Sequence, residues 1–130
     1  MAKHHQASGT LCVQWLCPGP AQQRALLELA LRCLRDDRLE IRRALRQRDN
    51  ATVRERLHRA KGAICTLWPD PETLARLEAV HRQLPRRGSQ LWSQAAALES
   101  RLLQLEQAML ASLDALGGDP MAQEQQPAPP

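Results

Sequence analysis

Apolar residues recur at intervals of three and four over most of the chain, the period of a helix with one buried face. Leu27, Leu31, Leu34, Ile41 and Leu45 mark a first helix from about Ala21 to Gln47. Asp36-Asp37 is expected to loosen its middle. Val53, Leu57, Ala60, Ile64 and Leu67 mark a second, capped by Asp49 or Asn50 and ending near Trp68, before Pro69. Asp70-Pro71 predicts the start of a third, since Asp caps free N–H groups and Pro loses nothing at the first helical position. Leu74, Leu77, Val80 and Leu84 form its stripe. Beyond Pro85 to Gly88, Ser89 is expected to cap a fourth helix carrying Leu91, Ala95, Leu98, Leu102, Leu105, Met109, Ser112 and Leu116. At 1.5 Å per residue this longest element spans about 40 Å.

No segment alternates with the period of a strand. Four amphipathic helices with short connections predict an all-α fold, an antiparallel four-helix bundle, with room for a short extra N-terminal helix. Residues 1–20 have no sustained period and read as a flexible leader, closed by Pro18-Gly19-Pro20. Residues 21–116 form the bundle. Gly117-Gly118-Asp119-Pro120 ends the last helix, and the Gln- and Pro-rich stretch to Pro130 reads as a disordered tail.

Composition supports helices. The 130 residues are 43% apolar but lack Phe and Tyr, so Leu and Ala must supply most of the core. Four unevenly spaced cysteines, Cys12, Cys17, Cys33 and Cys65, do not form a disulfide framework, which points to the cytoplasm. No run of 18 apolar residues is present and the N-terminus lacks a signal peptide's apolar core, so a soluble protein without membrane insertion is expected. His4, His5, Cys12 and Cys17 lack the spacing of a zinc site, and no metal or cofactor is expected on the chain.

The net charge of +4 is uneven. Residues 32–61 hold eleven Arg and Lys against five Asp and Glu, a net +6, which leaves −2 for the remainder. Acidic residues interrupt this run and no aromatic residue within it could stack on a base, so nucleic acid is not the expected partner. Most of the run reads as a solvated face.

The chemistry concentrates in Leu57-His58-Arg59-Ala60-Lys61-Gly62-Ala63. Helical spacing sets His58, Lys61, Gly62 and Cys65 on one face, away from the Leu57 and Ile64 stripe. An imidazole ordinarily titrates at about 6.5, so at pH 7 a ring nitrogen is free to attack an activated phosphoryl group. Lys61, one turn on, can neutralise the arriving charge. Glycine inside a helix costs about 1 kcal/mol relative to alanine, and no turn or cap explains Gly62. A missing side chain there lets a partner approach the imidazole.

The pattern His58-x-x-Lys61-Gly62-Ala63, with Leu45, Asp49 and Leu57 before it and Leu77-Glu78 after it, resembles the histidine phosphotransfer domains of bacterial two-component phosphorelays. The resemblance covers roughly residues 22–113. It implies a four-helix bundle with an added N-terminal helix, in which the histidine takes a phosphoryl group from the aspartate of one receiver domain and passes it to another. By this resemblance His58 is the phosphoacceptor, Lys61 assists the phosphoryl group and Gly62 keeps the docking face open. Mg²⁺ would sit on the partner receiver. The sequence departs from the family at Leu57 and Ala60, where the large and small residues are exchanged, and at Trp68-Pro69-Asp70-Pro71, a shorter connection without glycine.

The implied function is a signal-transduction phosphoprotein, a carrier without kinase activity, since no Gly-rich loop followed by Lys and Ser or Thr is present. Its expected partners are response-regulator receiver domains, with a hybrid sensor kinase as another, and a monomer is favoured over a homo-oligomer. Arg54 and Arg59 beside His58 would steer an acidic receiver pocket, with Gly62 and Cys65 on the same docking face. His81 reads as a boundary residue, and the last leucine stripe as core and not coiled coil. The competing reading is a non-catalytic helical adaptor or dimerisation module that docks signalling proteins.

Overall fold

Four helices make up the described residues, 19–117, of the computed structural model: α1 (Pro20–Arg46), α2 (Asn50–Leu67), α3 (Pro71–Gln83) and α4 (Ser89–Gly117). No strand occurs among these residues. Helix α1 packs against α2 and α4, and α3 against both α4 and α2, so the chain closes an all-α bundle. The leader up to residue 18, with its expected extra helix and its Cys/His segment, and the tail from residue 118 lie outside the described residues.

The first helix begins one residue earlier than its stripe suggests. Pro20 occupies the first turn after an extended Gly19, because its fixed φ already suits a helix. The loosening expected at Asp36-Asp37 does not interrupt the helix. Both carboxylates accept from Arg56 Nη1 of α2, at 2.8 and 3.0 Å, so the acidic pair ties two helices together. Helix α1 closes on a left-handed residue, Arg48 at φ 58°. Its N–H donates to Leu45 O at 3.3 Å and that of Asp49 to Ala44 O at 2.9 Å, which satisfies carbonyls the helix end would leave open.

The short connections use their cap residues unevenly. Asp49 caps α2, its Oδ1 accepting from Thr52 N–H at 3.1 Å. Asp70 stands at the corresponding position of α3, yet its carboxylate accepts from the Thr73 hydroxyl and from Arg101 Nη2, the latter at 2.6 Å, in place of a cap bond. Ser89 is already helical. Gly88 precedes α4, and its carbonyl accepts from Leu91 N–H at 3.0 Å, so the expected Ser89 cap is replaced.

All expected stripe residues of α1 and α2 are buried, and so are Leu77, Val80 and Leu84 of α3, with Leu74 partly buried. On α4 the stripe holds through Met109 and then drifts. Ser112 is only half-buried and Leu113 takes the core position, because an interval of four follows where three was expected. Trp68 closes the end of α2 and is itself buried in the core. Burying a leucine side chain contributes roughly 1.5–3 kcal/mol, so the leucine-rich core compensates for the missing Phe and Tyr.

Buried acids supply the polar ties. Glu106 of α4 is 4% exposed and accepts from Arg38 and Arg35 of α1, the latter at 3.3 Å. Arg42 lies 3.9 Å from Glu99, so rising numbers on α1 meet falling ones on α4. At the other seam Asn50 Nδ2 donates to Leu84 O at 3.4 Å, and Arg87 donates to Asn50 Oδ1 and, at 2.7 Å, to Leu45 O. No helix among the described residues is long and apolar enough to cross a membrane.

Candidate functional site

Helix α2 turns its stripe of Val53, Leu57, Ala60, Ile64 and Leu67 inward, and this fixes what its outer face displays. Arg54, His58, Arg59, Lys61, Gly62 and Cys65 are all exposed. The face read from helical spacing therefore exists in the fold. Leu57 and Ala60 both sit in the core, so the exchanged sizes beside the histidine are a matter of packing, not of surface.

His58, Arg54, Lys61 and Leu57 form one wall of an open groove of about 250 Å³, and Leu77, Glu78 and His81 of α3 form the other. Among the described residues His58 has no hydrogen-bond partner, and Arg54 and Lys61 have no ion pair. Their capacity is free for a ligand or a partner. Gly62 and Cys65 do not line the groove but continue the same exposed face of α2.

Gly62 has no internal reason to be glycine. A Cβ built there meets nothing within 4 Å, and its φ lies outside the left-handed region. The residue therefore carries the usual helical penalty without relieving any contact inside the fold.

Arg59 differs from the expectation of a free steering charge. Its Nε lies 3.8 Å from Asp37 Oδ1, which draws it toward α1. Asp37 is 2% exposed, and burial pushes its carboxyl above the ordinary value although Arg56 and Arg59 oppose that shift. The two carboxylates raise the Arg56 guanidinium in turn. Arginine stays charged throughout, so the burial of Asp37 governs how this pair responds to pH.

Two carboxylates fix the ends of the segment. Hydrogen bonds from the Thr52 hydroxyl and N–H hold Asp49 below its ordinary value at the start of α2. At Asp70 burial pushes upward, and hydrogen bonds from Thr73 and Arg101 outweigh it, so the carboxyl is lowered. Thr73 is fully buried and Arg101 reaches it from α4 at 3.2 Å.

The sequence did not show where three residues would lie. His81 and Glu78 face His58 across the groove, and Asp37 lies behind Arg59. Their spacing held a signal: Glu78 and His81 are three apart, and Asp37 continues the interval from Leu34 to Ile41. No group of three or more His, Cys, Asp or Glu among the described residues could hold a metal ion. Comparison with protein-family models, with curated proteins and with solved structures gives no match.

Proposed function

We propose that this chain is a phosphorelay intermediate, a histidine phosphotransfer protein that accepts a phosphoryl group on His58 from a receiver-domain aspartate and delivers it to another receiver. The observation that carries the reading is the combination of an exposed His58 side chain and a Lys61, both without a partner among the described residues, with a Gly62 that nothing in the described fold requires.

In the forward step a ring nitrogen of His58 attacks the phosphorus of the partner's aspartyl phosphate. The N–P bond forms as the acyl P–O bond breaks, and the aspartate carboxylate leaves with the electron pair. The ring proton on the other nitrogen stays or passes to solvent. Lys61 offsets the phosphoryl charge, and return transfer to a second receiver is the same step reversed. Mg²⁺ on the receiver supplies charge stabilisation from the partner's side. The chain's own task is positioning, which suits a small set of residues on a rigid helix.

The test is incubation with a receiver domain carrying labelled aspartyl phosphate. Label appears on the wild type and is absent from His58→Gln. Equal labelling of the two, or none with any of several receivers, refutes the relay and favours a docking adaptor that uses the same face.

A further inference from the structure

A second cavity lies on the far side of the bundle from α3, between α1 and α4. It encloses about 220 Å³ over a floor that includes Ile41, Leu45, Leu98 and Leu102. The gap has a sequence origin: α4 presents Ala95 and Ala96 to the cavity, so short side chains leave the space open. Trp92 stands at the edge, 49% exposed, although its neighbour Leu91 is fully buried.

The rim is cationic. Arg38, Arg42 and Arg46 follow one another at intervals of four along α1 and all line the cavity. Arg38 is committed to Glu106. Arg42 has only Glu99, itself on the rim and 3.9 Å away, and Arg46 has no ion pair among the described residues. Among the described residues, one of these two guanidinium groups thus has a single distant carboxylate and the other has none, above an apolar floor.

We propose that this groove binds a small carboxylate with an apolar chain, its head on Arg42 and Arg46 and its body against Trp92, Ala96 and Leu98. A guanidinium recognises a carboxylate through two parallel N–H bonds, and an indole covers an alkyl chain with little loss of its own freedom. The site is independent of His58, which lies on the α2–α3 side.

Octanoate and octanol serve as probes, followed by ¹H–¹⁵N NMR of the full chain. Octanoate is expected to give saturable shifts confined to residues 38–46 and 92–102, including the Trp92 indole, and to bind about tenfold more tightly than octanol because of its charged head. Arg42→Gln/Arg46→Gln removes that advantage. Ala96→Leu, at an exposed position, fills the groove and weakens both probes while the remaining spectrum is retained. Equal affinity for the two probes, absence of saturation, or unchanged binding in Ala96→Leu overturns the proposal. Shifts that vary with protein concentration alone also overturn it, by assigning the groove to a second copy of the chain.

Discussion

Gly62 stands one helical turn beyond His58 on the exposed face of α2, and a methyl group at Gly62 would touch no other part of the described fold. The cheapest change for stability therefore lies beside the residue proposed to carry the chemistry. Gly62→Ala should stabilise the protein by about 0.5–1 kcal/mol in urea unfolding. Gly62→Gln should also fold, yet accept phosphoryl groups at least about tenfold more slowly, because its side chain stands where a receiver must approach. Wild-type transfer by Gly62→Gln would remove the access argument.

In the proposed relay, the cations flanking His58 would make the encounter with a receiver electrostatic. Arg54 and Lys61 carry no counter-ion within the described residues. Raising salt from about 0.05 to 0.5 M should lower kcat/KM for transfer about tenfold, since the screening length shortens to a few ångströms. Arg54→Gln should be slower at low salt and less sensitive to it. A salt-independent rate would show that these charges do not steer the partner.

The buried carboxyl of Asp37 gives a pH dependence of defined sign. Because its folded value is raised, protons bind the folded state more readily than the unfolded one. Its contribution is most favourable below the ordinary carboxylate range and is lost as pH rises through the raised folded value. Asp37→Asn keeps an acceptor for Arg56 without the charge. It should therefore be at least as stable as the wild type at pH 7, with the difference vanishing in acid. Denaturant titrations at several pH values measure this, and a neutral-pH loss that disappears in acid would reverse the sign.

Arg48 ends α1 at φ 58°, where a side chain is strained by the following carbonyl. The closing bonds from Arg48 and Asp49 are donated by their backbone N–H groups, and the Arg48 side chain takes no part in them. Arg48→Gly should keep them and raise stability by about 0.5–1 kcal/mol, the gain being reduced by glycine's greater freedom when unfolded. Thermal unfolding checks the direction.

The helices were legible because apolar residues, mostly Leu and Ala, recur at intervals of three and four on one side of each, and Pro20, Pro69 and Pro71 punctuate them. Exposure of His58, Lys61 and Gly62 followed from the same period. Buried acids were not legible: Asp37 and Glu106 occupy stripe positions, but their burial depends on Arg56, Arg35 and Arg38 reaching them from other helices. The opposite wall of the groove was hidden for a similar reason. Periodicity orients α2 and α3 separately, whereas the pairing of His58 with Glu78 and His81 depends on how the two helices cross. The Ser89 cap failed at the scale of one residue, where Gly88 and Ser89 compete for the same turn.

The stitching at the two ends of the α2–α3 pair bears on the proposed relay. Arg87 draws Asn50 and Leu45 together at one end, and Arg101 holds Asp70 and Thr73 at the other. Both anchors lie outside the groove, so occupying or emptying His58 breaks neither. In the proposed relay, donor and acceptor would then meet the same shape at His58, and their relative abundance and phosphorylation would set the direction of traffic.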